Sequence, residues 1–134
     1  MTSNLLRLAL LGVGLLTASA PVVAHHSFSA EFDGNAPLTI QGKVTRVAWT
    51  SPHVWIYVNV PGADGKLVNW GFEMGAPHQV QNAGWTREMV KPGDELMIDG
   101  FKARDGSNRM NARKVVMVAT GKVLTGLGAG AAGN

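Results

Sequence analysis

From Leu38 onward the chain alternates apolar and polar residues with a period of two, the pattern of half-buried β-strands. In LTIQGKVTRVAWT, residues 38–50, Ile40, Gly42, Val44, Arg46 and Ala48 fall on one face. Thr39, Gln41, Lys43, Thr45, Val47 and Trp49 fall on the other. A glycine inside so long a strand marks a place to bend. After the corner Ser51-Pro52-His53, HVWIYVNV alternates again. Val54, Ile56, Val58 and Val60 are expected to point inward, and His53, Trp55, Tyr57 and Asn59 outward. PGADGK reads as a hairpin turn around Asp64-Gly65. KLVNWGFEMG then returns with Val68, Trp70, Phe72 and Met74 as its heavy face and Asn69, Gly71 and Glu73 opposite.

The alternation stops in APHQVQNAGWTREMVKPGD. Pro77 suits the first position of a short helix and Gly84 its end, with a further turn begun by Thr86. Leu96, Ile98 and Gly100 then alternate against Met97, Asp99 and Phe101. A loop, RDGSNRMN, leads into the last strand, within MNARKVVMVATGKVL, which carries a turn signal at Gly121. Residues 121–134 read as a flexible Gly/Ala-rich tail, and residues 25–37 as an extended arm that Phe28 and Phe32 pin to the domain. The order is strand, strand, strand, helix, strand, strand over residues 38–120. That order predicts an all-β fold with one short helix: a five-stranded OB-like barrel, β1-β2-β3-α-β4-β5. The competing arrangement is an unrelated small β-sandwich.

Upstream of the arm the pattern changes. One charge, Arg7, precedes the apolar run LALLGVGLLTASA, and small residues close it at Ala18, Ala20 and Ala24. This is the layout of a secretory signal peptide over residues 1–24. Cleavage after Ala20 would leave Pro21 at the scissile bond, so cleavage after Ala24 is expected, with His25 as the first mature residue and a periplasmic location. An uncleaved anchor is the alternative. The uncharged stretch from Leu8 to Ala24 is short of the roughly 20 residues a spanning helix needs, so stable membrane insertion is not expected. The 134-residue chain carries a net charge of +3 and no cysteine. Loss of Arg7 with the leader lowers the charge to +2. That is too mild to argue for nucleic acid, and no disulfide is available to staple the domain.

The strings AHHSFSAEFD, WTSPHVWIYVNV, NWGFEMGAP, GWTREMVKPGDE and GFKARDGSNRMNAR together resemble a family of small exported bacterial proteins known only as a domain of unknown function. The resemblance spans about residues 24–118. It implies a periplasmic, OB-like domain and brings no reaction, ligand or catalytic residue. The family usually has Asn where Ser51 stands, which argues against a strict chemical role for that side chain.

On an OB plan, ligands meet the outer face of strands two and three and the loops joining strands one to two and four to five. That mapping gathers His53, Trp55, Tyr57, Asn69, Glu73, Arg104, Asp105, Asn108 and Arg109 as a candidate ligand groove. Rings supply stacking, and guanidinium groups supply bidentate contacts. The opposing interpretation is that the rings cover the arm and that RDGSNR only braces its own turn.

The other candidate chemistry is metal binding. A mature N-terminal His25 offers its α-amine and Nδ1 as a chelate, with a third nitrogen from His53 or His78. His26 can contribute its imidazole instead. Nitrogen-rich planar ligation favours copper, whereas zinc motifs are absent. No serine sits in a nucleophile elbow. The sequence therefore predicts a periplasmic module binding a small molecule or a protein partner. The alternative is a copper-binding protein, and an enzyme is the least supported class.

Overall fold

In a computed structural model of the chain, residues 28–125 are described. The leader, His25, His26 and the tail beyond Thr125 lie outside the described residues. The elements are α1 (Phe28–Glu31), β1 (Phe32–Trp49), β2 (Val54–Pro61), β3 (Leu67–Glu73), α2 (Pro77–Asn82), β4 (Glu95–Ala103), β5 (Arg109–Met117) and β6 (Val123–Thr125).

The strands form one sheet in the order β3-β2-β1-β4-β5-β6, and a parallel pairing of β3 with β5 closes the first five into a barrel. With one short helix between β3 and β4, this is the OB plan that the element order predicts. The sandwich alternative is excluded, because the sheet closes on itself.

Closure depends on β1, which serves two partners. Its first half pairs with β4 as far as Lys43↔Glu95, and from Lys43↔Asn59 onward it pairs with β2. The exchange happens beside Gly42. A Cβ built there would lie 2.5 Å from the Asn59 carbonyl oxygen and 3.2 Å from its carbon. Both obstructing atoms are backbone, so neither can rotate away. Gly42→Ala is expected to cost about 1–3 kcal/mol, as overpacked positions do, read as a lower urea midpoint with an unchanged m-value.

The interior holds Ile40, Val44, Val54, Ile56, Val58, Phe72, Met74, Leu96, Ile98, Met110, Ala112 and Val115. Val80 of α2, with Trp85 and Val90 after it, joins the same core. Pro77 opens α2, and the Gln79 side chain accepts from the Ala76 N–H at 2.9 Å. Thr86 starts only a turn, closed by Met89 N–H donating to the Thr86 carbonyl at 3.3 Å.

Three expectations are corrected. The arm is extended only in part: Phe28–Glu31 is a helical turn, and residues 32–37 belong to β1, which begins at Phe32, ahead of Leu38. The faces of β1 do not keep one phase. The β1–β2 register shifts between Val44 and Arg46, so Thr45 is an extra residue on β1. Beyond that bulge the sides swap. Val47 and Trp49 pack against the core, and Arg46 is exposed. Finally, the tail does not begin at Gly121. Val123–Thr125 pairs with β5, Leu124 enters the core, and the Trp85 indole donates to the Thr125 carbonyl at 3.1 Å.

Candidate ligand-binding face

Alternation along β3 sends Phe72 and Met74 inward and Gly71 and Glu73 outward. The outward side is nevertheless covered at Glu73, which is 6% exposed. Glu73 lies opposite Trp55 of β2 and Asn111 of β5. Its Oε1 is paired with Nδ1 of His53, whose side chain remains 27% exposed. His53 is set by the corner between β1 and β2. There the Thr50 hydroxyl donates to the His53 carbonyl at 3.1 Å, and the Ser51–Pro52 peptide is cis.

Burial pushes the Glu73 carboxyl above its ordinary 4.5. The charge and hydrogen bond of His53, and more weakly Arg109, act against the shift, while the Glu31 carboxylate adds to it. A carboxyl raised by folding keeps its proton in the native state where the unfolded chain has already lost it. Native stability therefore falls as pH rises from the ordinary carboxylate range to the raised native value, then levels off. Glu73→Gln keeps an acceptor for His53 and should remove that slope. Urea midpoints of the two proteins measured across this range should diverge as pH rises; parallel profiles would contradict the assignment.

Next to this pair, Trp55 and Tyr57 lie on the outer face of β2, half-buried, with ring centroids 6.2 Å apart and planes 21° apart. Gly71 faces Tyr57 across the ladder. A Cβ at Gly71 would sit 3.3 Å from Tyr57 Cε1 and 3.6 Å from Trp55 Cε3, so the missing side chain is what lets both rings lean over β3. The β1 bulge delivers Arg46 to the same face, its Cζ 4.2 Å from the Tyr57 ring centroid.

Arg109 begins β5 and closes the other side. Its Nη2 meets Asp105 Oδ2 at 2.8 Å, its Nε donates to Ser107 Oγ at 3.0 Å, and its Nη1 lies 3.9 Å from Glu31. Asp105 is held down at about 2, first by the Ser107 hydroxyl, then by the Ser107 N–H and Arg109.

Of the residues that the sequence nominates, His53, Trp55, Tyr57, Glu73 and Arg109 thus surround one flank of the barrel, with Asp105 orienting Arg109. The others have different work. Arg104 Nε donates to the carbonyls of Ser29 at 2.9 Å and Phe32 at 3.2 Å, tying α1 to the barrel. The Asn108 carbonyl accepts from Gly71 N–H at 3.0 Å, at the β3–β5 seam. Asn69 Nδ2 is used by Asn59 Oδ1 at 2.9 Å, Thr45 Oγ1 at 3.2 Å and the Val58 carbonyl at 3.3 Å, further along β3. His78 is exposed on α2. Among the described residues no group of three or more histidines and carboxylates is placed to hold a metal, and no helix is long and apolar enough to cross a membrane.

Sequence reasoning missed Arg46, Gly71, Glu31, Ser107 and Asn111. Only the Asx-turn character of Asp105-Gly106-Ser107 carried a local signal for any of them. Phe28 and Phe32 do pin α1, but onto Phe101: Phe28 meets that ring edge-on at 5.5 Å and stacks on Phe32 at 5.9 Å. A separate depression of about 710 Å³ lies where β1 changes partners, lined by Gly42, Lys43, Thr45, Pro61, Leu67 and Glu95 among others. None of the nominated residues lines it.

No curated protein matches the chain. Among solved structures, the mitochondrial single-stranded DNA binding protein Rim1 from S. cerevisiae is similar at a TM-score of 0.49 and 12% identity, over 62% of this chain and 93% of that one. The fold assignment rests on the strand order and closure rather than on this likeness. Residues 13–112 match the profile of a family of unknown function, DUF6152. The match takes in the barrel through the β3–β5 seam and every member of the flank described above, and the chain belongs to that family.

Proposed function

We propose that the chain is an exported, periplasmic binding module whose ligand rests on the outer flank of β2 and β3. The observation that carries this reading is the pairing of a nearly buried carboxylate, Glu73, with a part-exposed histidine, beside two outward aromatic rings. A buried acid left on the outer side of a barrel costs desolvation, and packing alone gives no return for it. Convergent polar groups next to an apolar face are what orient a ligand.

Thermal-shift screening of the mature protein against soluble metabolites and peptides tests the reading. Trp55→Ala and Arg109→Ala should weaken any hit while leaving the unliganded protein folded. Unfolding of the free variants would instead make these residues structural.

A second reading, copper binding through the His25 amine and imidazole, is favoured by one contact. The buried Glu73 carboxylate engages His53 Nδ1, an outer partner of the kind that metal-ligating histidines use, and this leaves Nε2 as the ligating nitrogen. Two residues, His26 and Ser27, separate His25 from Phe28, so the three Cα–Cα steps between them reach about 10 Å. Cu(II) titration followed by the d–d band, with the intact mass of the exported protein, tests it. Binding should be lost in both His25→Ala and His53→Ala. Wild-type affinity in either variant, or a mature chain that begins elsewhere than His25, removes this reading.

A further inference from the structure

We propose that the ligand of this flank is a neutral oligosaccharide, an inference that rests on the flank being the binding face. The apolar part of the surface suits the C–H face of a sugar ring. The rings of Trp55 and Tyr57 are inclined by only 21°, and Gly71 presents no side chain between them. Arg46 covers one face of Tyr57, which leaves Trp55 as the principal stacking ring.

The polar part suits hydroxyl groups. Each sugar hydroxyl both donates and accepts, so it needs acceptors and donors side by side. Asp105 supplies acceptor oxygens, the His53 Nε2 left over by the Glu73 contact is a further acceptor, and Arg109 and Arg46 supply N–H donors. Tyr57 of β2 and His53, at the corner just before it, are four residues apart, about 13 Å at the rise of a strand. That length accommodates more than one ring.

The charge distribution favours an uncharged ligand. A face that grips a polyanion keeps cations free for phosphate. Here Arg109 is already met by Asp105 at 2.8 Å and approached by Glu31 at 3.9 Å, and Arg104 is spent on two carbonyls with Asp33 3.5 Å away. His53 is paired with Glu73. Arg46, the other arginine of the flank, is seated on the Tyr57 ring.

The test is titration of the full-length exported protein, ¹⁵N-labelled, with chitotriose, maltotetraose and cellotetraose, and with oligo-dT as the polyanion. At least one saccharide should shift the Trp55 indole and the Tyr57 and Gly71 amide resonances. Its affinity should change little between about 50 and about 200 mM salt, and Trp55→Ala should weaken it about tenfold. Three results overturn the proposal. If oligo-dT alone shifts those resonances, with steep salt dependence, the face binds but the ligand class is wrong. If no saccharide perturbs them while a metabolite or peptide from the thermal-shift screen does, the ligand class again falls and the face stands. If every shift lies at the depression by Lys43 and Leu67, both the face and its ligand class fall.

Discussion

Phe72→Ala is expected to lower stability by about 3–5 kcal/mol, the cost of emptying a fully buried aromatic site. Phe72 has no solvent exposure and sits in the core from the middle of the β2–β3–β5 seam, opposite Ile56 and Met110 in the two ladders. β3 meets β5 over only three registered pairs, Gly71↔Arg109, Phe72↔Met110 and Glu73↔Asn111. A cavity at the central pair is therefore poorly placed to collapse without opening the barrel. A small domain has about 5–15 kcal/mol in total, so the variant should be near its unfolding threshold at room temperature. Chemical denaturation read by far-UV circular dichroism would check it. A loss below about 1 kcal/mol would mean that the seam repacks, contrary to the close packing expected of protein interiors.

Asn111→Leu is expected to act in the opposite direction, raising stability by about 1–3 kcal/mol. Asn111 is fully buried, yet neither its Oδ1 nor its Nδ2 has a hydrogen-bond partner. Its neighbours Met110 and Ala112 belong to the core, so Asn111 faces outward, between Phe101 of β4 and Glu73 of β3. That is the side where Phe28 of α1 lies against Phe101. A buried amide without partners carries its full desolvation cost, and an apolar side chain of similar volume avoids it. The measurement is again a urea midpoint. A lower midpoint for Asn111→Leu would show that the amide is bonded in solution.

Much of the barrel is legible in the chain. β2 and β3 keep one phase, and of the residues named inward by alternation Val54, Ile56, Val58, Leu96 and Ile98 are in the core, with Val60 packed against it. A period of two is a local property, set by the pleat, so sequence alone reports it. β1 is legible only from Leu38 to Val44. A single extra residue at Thr45 inverts the faces beyond it, and Thr and Arg carry no mark of a bulge that a reader could see. The same shift puts Arg46, which alternation groups with Ile40 and Val44, outside beside Tyr57.

The site was half legible. His53, Trp55, Tyr57 and Glu73 are outward by alternation, and Arg109 follows from the loop position. That Arg104 and Asn69 leave the set could not be read, because each is withdrawn by partners on other elements: Arg104 by Ser29 of α1 and Phe32 of β1, 75 and 72 residues away, and Asn69 by β1 and β2. The burial of Glu73 is of the same kind. Alternation says which side of a strand a residue takes but not what crosses over it.

By itself, then, the order and phase of apolar residues determined five of the six strands, the helix between β3 and β4, most inward residues, and the membership of one corner in a candidate face. Only the tertiary structure decided where β1 changes partner, that residues 123–125 are a sixth strand, that Glu73 is an enclosed acid paired with His53, and that α1 rests on Phe101 instead of on the aromatic flank. The division follows from range. The pleat acts between neighbours in sequence, whereas desolvation and pairing depend on segments that meet only after the barrel closes.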